Sequence, residues 1–374
     1  MSVYDQVDRI NELIRTINSL CERINILEKN CAYGTCTHVD DYTIKKNGSG
    51  VIYNYIGGTQ QSIIDGTKNI KTYEESTING GDNNIINNSK YSIINGGTNN
   101  QIEDGSLNII SSGSSNSIEK NMFSLIGSGY GNQIVLEGEY NSINNGGGNN
   151  INESSNSTIS NGENNNIKES INSTISNGEN NNIDFTEHGF IGSGLDCSLN
   201  NSNYSCIVNG DSNKINNSTL SIISGGFNNL IDGSSNNSFI GSGLNNTICE
   251  NSTNSVIIGG STNSIKEISK NSIVCGGDNN NITNSNTTII GSGYNNDICD
   301  SKYSSIVGGD KNNIDTSEHG FIGNGIDCSL NNSNYSGIVD GCSNKINNST
   351  LSIISGGSNN LIDGSSNNSF IGSG

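Results

Sequence analysis

Isoleucine and glycine recur along residues 61–374 with a period of about 16, as in a solenoid repeat. A clear copy of the repeat, Tyr91–Ser106, reads YSIINGGTNNQIEDGS, and the consensus is x-S-I-I-x-G-G-x-N-N-x-I-x-x-x-S. The runs S-I-I and N-N-x-I are rich in β-branched residues and are bounded by Gly, Asn and Ser, as short strands are. Each repeat then supplies two strands and two turns, which is one coil of a solenoid. The pattern predicts an all-β repeat solenoid of about twenty coils over residues 61–374.

Two positions of the repeat predict its core and one predicts a tight turn. Numbering each repeat from 1 to 16 with Tyr91 at position 1, isoleucines at positions 4 and 12 stack from coil to coil into an apolar seam. Glycine at position 7 permits a positive φ or a close approach of two chains. The predicted core residues are Ile94, Ile102, Ile126, Ile191, Ile223, Ile231, Ile257, Ile265, Ile306, Ile314, Ile354 and Ile362. The predicted turn glycines are Gly97, Gly129, Gly194, Gly226, Gly260, Gly309 and Gly357.

Two further positions refine this picture. The asparagine pair at positions 9 and 10 tolerates the left-handed conformation and can hydrogen-bond along the stack. Position 3 is often apolar, as at Ile93 and Phe190. Because positions 3 and 4 of a strand point to opposite faces, one side chain fills the coil and the other requires a second surface. We expect other copies of the chain to supply that surface.

A larger duplication lies over the repeat. Residues 188–243 reappear almost unchanged as 319–374. Copying of whole blocks is tolerated when each coil contacts only its neighbours. The sequence stops at FIGSG, midway through a repeat, which predicts that the stack continues in a longer protein.

The first 31 residues carry a different period. Val3, Ile10, Ile17, Ile24 and Cys31 occupy heptad position a, and position d carries mainly leucine. This spacing, sustained over about four heptads, predicts an α-helical coiled coil over residues 1–31, followed by a connector over 32–60. An amphipathic helix packed on its own domain is the alternative.

The number of helices in this coiled coil is ambiguous from the a and d positions alone. Isoleucine at a with leucine at d favours a dimer. Apolar residues at position e widen the seam, which favours a larger bundle, and Arg23–Glu28 resembles the trimerisation motif Arg-h-x-x-h-Glu of short coiled coils. We predict a parallel homotrimer. The residues predicted to form it are Ile10, Leu13, Ile17, Leu20, Arg23, Ile24, Leu27 and Glu28.

Composition agrees with a thin, repeated core. Hydrophobic residues make up 30% of the chain, and proline, which would remove ladder hydrogen bonds, is absent. A net charge of −19 argues against a nucleic-acid partner bound through a basic patch. No apolar run approaches the roughly 18 residues of a membrane-spanning helix, so we expect no membrane insertion.

Residue types with catalytic chemistry do not converge in the sequence. The three histidines are His38, His188 and His319, and the last two occupy the same position of the duplicated blocks. The serines repeat without a His–Asp partner, and the aspartates lack the nonapeptide spacing of calcium-binding β-rolls. The sequence therefore predicts no enzyme, no cofactor and no metal.

The repeat SxIxGGxNNxI resembles the head repeats of trimeric YadA-like adhesins and of related phage and giant-virus fibre proteins, over residues 61–374. The resemblance implies a left-handed parallel β-roll, three chains around one axis, and a role in surface attachment or spacing. A secreted adhesin of this kind carries a signal peptide and a membrane anchor, which the sequence does not display. Its head also usually precedes its stalk, whereas here the coiled coil comes first, as suits a viral fibre.

Two function classes follow from these features. The first is a trimeric fibre or adhesin-like appendage on the surface of a virus or phage-like particle, which attaches to a host receptor or glycan or acts as a spacer. Repeated weak contacts along such a fibre would add up by avidity. The alternatives are an internal scaffold or filament with no receptor, or a fragment of a cell-surface adhesin.

Overall fold

The computed structural model describes residues 42–47, 50–56, 62–63, 69–71 and 75–374, and among these residues every regular element is a β-strand. Residues 75–374 form a parallel β-solenoid of about 19 turns, as the repeat predicts. Each coil contributes one strand to each of two sheets, and each strand pairs in parallel with its equivalent in the next coil. At about 4.8 Å per coil, the stack is about 90 Å long.

Sheet 1 contains positions 3 and 4 of each coil. Its strands are Ser62–Ile63, Thr77–Ile78, Ile93–Ile94, Ile109–Ile110, Leu125–Ile126, Ser142–Ile143, Thr158–Ile159, Thr174–Glu179, Phe190–Leu195, Cys206–Asp211, Ile222–Ile223, Phe239–Ile240, Val256–Ile257, Ile273–Val274, Ile289–Ile290, Ser305–Asp310, Phe321–Ile326, Gly337–Cys342, Ile353–Ile354 and Phe370–Ile371.

Sheet 2 contains positions 11 to 13. Its strands within the coils are Ile70–Lys71, Ile85–Asn87, Gln101–Glu103, Ser117–Glu119, Gln133–Val135, Asn150–Asn152, Asn166–Lys168, Asn182–Asp184, Ser198–Asn200, Lys214–Asn216, Leu230–Ile231, Thr247–Ile248, Ser264–Lys266, Asn281–Thr283, Asp297–Cys299, Asn313–Asp315, Ser329–Asn331, Lys345–Asn347 and Leu361–Ile362. A short additional pair is formed by Asn121–Met122 and Gly138–Glu139.

The chain turns at left-handed corners. In the coil that starts at Tyr91, positions 1, 9 and 14 have φ of 53° at Tyr91, 57° at Asn99 and 51° at Asp104. The amides of these corner residues point back to the preceding coil, as in the 3.0 Å bond from Asn99 N–H to the Asp82 carbonyl. Strand amides point forward instead, as in the 2.8 Å bond from Ile93 N–H to the Asn108 carbonyl. Each coil is therefore hydrogen-bonded to both neighbours through its backbone.

The interior of the coil combines isoleucine with small polar side chains. Positions 4 and 12 form one continuous apolar core along the stack. Positions 2, 10 and 15 also point inward and carry mainly Ser, Asn and Ser, nearly all of them buried. Because so short a coil encloses little volume, two isoleucines fill it and the polar side chains satisfy the backbone at the corners.

The N-terminal predictions fall largely beyond the described residues. The coiled coil predicted for residues 1–31, and with it Ile10, Arg23 and Glu28, lies outside the described part. The segment predicted as a connector, 32–60, contains the strands Tyr42–Asn47 and Gly50–Ile56, which pair with each other. The second of these also pairs in parallel with Ile70–Lys71, so ladder pairing begins before residue 61.

Lys71 is an exception to the isoleucine core. Ile70 pairs with Ile85, which is one residue closer in sequence than the usual repeat, and this register places Lys71 opposite Ile86 at position 12. The Lys71 side chain is fully buried, and its Nζ has no hydrogen-bond acceptor among the described residues, whereas Ile70 is 39% exposed. Burial lowers the pKa of Lys71 from 10.5 to about 8.

We expect Lys71→Met to stabilise the first coil at pH 7 by about 1–3 kcal/mol, since it removes an unpaired buried charge. Lys71 is charged in both the folded and unfolded states below its folded pKa of about 8. Between pH 8 and 10.5 only the unfolded state stays protonated, so wild-type stability rises with pH. Urea midpoints of both proteins from pH 7 to 10.5 should therefore converge. A constant difference would contradict this explanation.

Candidate functional surface

The predicted core isoleucines all lie inside the coils. Eleven of the twelve have no exposed surface, and Ile362, near the C-terminal end of the stack, is 5% exposed. The strands that carry them pair in register with their equivalents in neighbouring coils, as in the pairing of Ile257 with Val274, and Ile362 has such a neighbour only in the coil before it. None of these side chains is available to a ligand, so their role is confined to stacking.

The predicted turn glycines lie where neighbouring coils approach most closely. Gly97 and Gly260 have φ of +89° and +95°, and a Cβ on either would lie 2.1 Å from the carbonyl oxygen of the equivalent glycine in the next coil. Gly194, in the strand Phe190–Leu195, differs because it is not in the left-handed region. A Cβ there would instead lie 2.8 Å from Cys197 Sγ, so glycine is required by close approach alone.

The second asparagine of the repeat forms an internal ladder, as its sequence position predicts. The Asn280 side-chain amide donates to the carbonyls of Gly276 and Gly293, both at 3.0 Å. Asn280 Oδ1 accepts bonds from the backbone N–H and the side-chain amide of Asn296, both at 3.1 Å. Asn280 N–H in turn donates to Asn263 Oδ1 at 3.0 Å. One buried side chain thus connects three consecutive coils.

Charge divides the outer surface of the solenoid into two kinds of face. Positions 11 and 13, on the outside of sheet 2, carry residues such as Glu103, Lys168 and Asp315. The outward positions 1, 3 and 5, on the side of sheet 1, carry no Asp, Glu, Lys or Arg in any coil from residue 91 to 371. We call these positions the uncharged face. Since charged residues are depleted from the centres of protein interfaces, this face is the candidate functional surface.

The uncharged face is apolar over most of its length. Between residues 188 and 371 its exposed residues include Ile258 (52%), Val307 (54%) and Tyr335 (57%). A second apolar stretch covers residues 91–126, and a polar stretch of Ser, Thr and Asn separates the two at residues 142–177. Other exposed apolar members are Tyr91, Leu107, Phe123, Tyr140, Phe190, Tyr204, Val208, Leu220, Ile222, Ile289, Tyr303, Phe321, Val339, Leu351, Ile353 and Phe370.

Aromatic side chains stack at the position 1 corner of this face. The rings of His319 and Tyr335 lie 4.6 Å apart, and Tyr303 stacks on the other side of His319 at 5.0 Å. His188 and Tyr204 repeat the arrangement at 4.6 Å in the first copy of the duplicated block. Both histidines therefore pack in ring stacks, and neither belongs to a group of three potential metal ligands within the described residues. His38 lies outside those residues.

One group of potential metal ligands occurs in the described part of the chain, on the opposite, sheet 2 side. The ligand atoms of Cys299, Asp300 and Asp315 lie within 4.8 Å of one another. Burial and the adjacent Asp300 carboxylate raise the pKa of the Cys299 thiol to about 12. The Cys299 thiol donates a hydrogen bond to Asp300 Oδ2 at 3.5 Å.

No protein-family model and no curated protein matches the chain. Among the described residues there is also no helix long and apolar enough to cross a membrane.

The uncharged face was only partly visible in the sequence. Apolar residues at position 3 predict an outward apolar strip, and this prediction does not include positions 1 and 5. The signal was available, because aligning the repeats shows that charges avoid all three positions. The sequence alone does not show that position 1 is a left-handed corner, close to the sheet 1 strand of the same coil.

Proposed function

We propose that this chain forms the shaft of a structural fibre and has no catalytic role. The main support for the proposal is the burial of the repeat positions inside the coil. In nearly every coil, positions 2, 4, 7, 10, 12 and 15 serve stacking on the neighbouring coils. The side chains inside the described coils thus serve stacking, and only the outer surface is available to a ligand or a partner. A stack of this kind is a rigid spacer about 90 Å long, from the spacing of its strands.

The proposed assembly is a homotrimer held at its N-terminal end. Its support is the heptad pattern of residues 3–31 with the Arg23–Glu28 motif, and the apolar outward positions of sheet 1. The proposed setting is the surface of a virus or phage-like particle. There the fibre serves attachment to a receptor or glycan, or spacing, and the resemblance of the repeat to YadA-like heads and viral fibres supports this setting.

Hydrodynamic measurement tests the proposed fibre. Light scattering and sedimentation of the full chain should give a mass of about 118 kDa, three chains of 39.4 kDa, with the high frictional ratio of an elongated particle. The double variant Leu20→Asp/Leu27→Asp should give a single-chain mass, because it introduces charges at two core positions of the predicted coiled coil. A compact monomer in the wild type would overturn the proposal.

The second candidate is an internal scaffold or filament with no receptor. It is favoured by the regularity of the coils, which lack an enclosed cavity of distinct chemistry among the described residues. Immunogold labelling separates the two candidates. Labels on particle exteriors support the surface fibre, and labels found only inside support the scaffold.

A further inference from the structure

We propose that the uncharged face is the lateral contact surface between two solenoids, and that its occupant is a second copy of this chain. The inference rests on the proposed fibre and deepens it by naming the surface through which the shafts pair. Sheet 1 makes this face by alternation: its isoleucines at position 4 are buried, and the side chains at positions 3 and 5 project outward.

The distribution of charge favours this face as the contact between two copies of the chain. The chain has a net charge of −19, so two copies repel each other over most of their surface. Acidic side chains occupy positions 8, 13 and 14 repeatedly, as at Glu163, Glu103 and Asp104. The uncharged face has no such group from residue 91 to 371. Two copies can therefore be brought together there without burying an unpaired charge.

The face has the area of an ordinary specific interface. It extends over about 17 coils, which is about 80 Å, and positions 1 to 5 span about 13 Å of strand. The resulting area is about 1,000 Å² on each chain, compared with about 800 Å² per partner in an ordinary specific complex. The polar stretch at residues 142–177 takes up about three of these coils, and the apolar stretches on either side of it are still of an extent that marks interaction sites.

The length and charge of the face favour a second copy as its occupant. Side chains on the face recur about every 4.8 Å along the stack, once in each coil, as in any parallel sheet. A second copy carries both this spacing and an uncharged face of the same length, so the two faces can match over the whole stack. The corners add to the fit, because Tyr204, Tyr303 and Tyr335 are large, rigid and more than half exposed.

Native cysteines provide an internal test. Cys275, at position 5, lies on the uncharged face, and Cys342, at position 8, lies off it. Both thiols are exposed in the single chain. We would treat the reduced full chain with N-ethylmaleimide at a concentration where sedimentation shows oligomers, and follow each cysteine by peptide mass spectrometry. Cys275 should react at least tenfold more slowly than Cys342.

Two lysine variants with the same change in net charge complete the test. Ile222→Lys/Ile258→Lys/Ile289→Lys places lysines on the uncharged face around Cys275 and should bring its reaction rate to that of Cys342. Leu230→Lys/Ser264→Lys/Asn313→Lys places them at position 11, where Lys214 and Lys345 occur naturally, and should leave Cys275 protected. Circular dichroism checks that both variants fold.

The outcomes separate this inference from the proposed function. A wild-type oligomer with equal reaction rates at Cys275 and Cys342 overturns the lateral contact and leaves the fibre standing. Protection of Cys275 that survives the lysines at positions 222, 258 and 289 also overturns it. A wild type that sediments as a monomer overturns both the homotrimer and the lateral contact.

Discussion

Replacing Asn280 by aspartate is expected to lower the free energy of unfolding by about 3–5 kcal/mol at pH 7, the largest effect among the substitutions considered. The new carboxylate keeps the shape of the side chain but loses the amide that donates to Gly276 and Gly293. It then faces two carbonyl oxygens in a buried position, where a negative charge has no partner. Urea unfolding followed by circular dichroism measures the loss.

The adjacent Asn279 provides the matched control. It occupies position 9 with φ of 57°, and its side chain is exposed. Asp196 and Asp327 occupy the same position in other coils, so Asn279→Asp should change stability by less than about 0.5 kcal/mol. Equal losses for the two variants would contradict the internal asparagine ladder.

The pH dependence of Asn280→Asp has a definite sign. Burial raises the pKa of a carboxyl group in the folded state, so the aspartate is disfavoured at pH values above that pKa. As the pH falls towards the unfolded value near 4, protonation relieves the charge and the difference from wild type shrinks. Part of the loss remains, because a protonated carboxyl group cannot replace both amide donors.

Replacing Gly277 by alanine is the second large effect, with an expected loss of about 2–4 kcal/mol. Gly277 has φ of +89°, which disfavours any side chain, and its Cβ would lie 2.2 Å from the Gly293 carbonyl oxygen. That oxygen also accepts the Asp278 N–H and the Asn280 amide, so it cannot move without weakening both bonds. The urea midpoint of the variant measures the loss.

Gly276 is the control for this substitution. It precedes Gly277 directly, and no atom lies within 4 Å of a Cβ placed on it. We expect Gly276→Ala to leave stability within about 0.5 kcal/mol of wild type. If Gly277→Ala proved equally mild, the coils would not approach each other at position 7 as the structure requires.

The sequence predicted the fold because one short pattern fixes every coil. Isoleucines eight residues apart, as at Ile94 and Ile102, can share an interior only if the chain reverses between them. Glycine at position 7 and asparagine at positions 9 and 10 supply that reversal, and the period makes successive coils alike. Parallel stacking of the coils followed from this repetition.

Other features depend on register, which composition does not determine. The burial of Lys71 arises because the first coil is one residue short, so that a lysine falls at position 12. The loss of the left-handed turn at Gly194 arises in a coil where Cys197 replaces the ladder asparagine. Both departures follow from single residues in a coil, and a consensus averages over them.

The candidate surface was predicted only in outline for a similar reason. Strand alternation places Ile222 and Ile258 outside the coil once sheet 1 is assigned. The corner residues that precede the sheet 1 strands, such as Tyr204 and Leu220, have positive φ, of 56° and 55°. Large residues seldom adopt that conformation, so sequence propensity gave no reason to expect it.

One chain stacks its own coils in register, and a distance measured within the chain tests this directly. Spin labels carried by unnatural amino acids at Asn99 and Asn228, both at position 9, would lie eight coils apart. Dilution of the labelled protein with unlabelled chain removes signals between chains. Pulsed electron paramagnetic resonance should give one narrow distance distribution centred at about 38 Å, which is eight times the spacing of parallel strands. A broad distribution, or a peak far from that distance, would contradict the stacked solenoid.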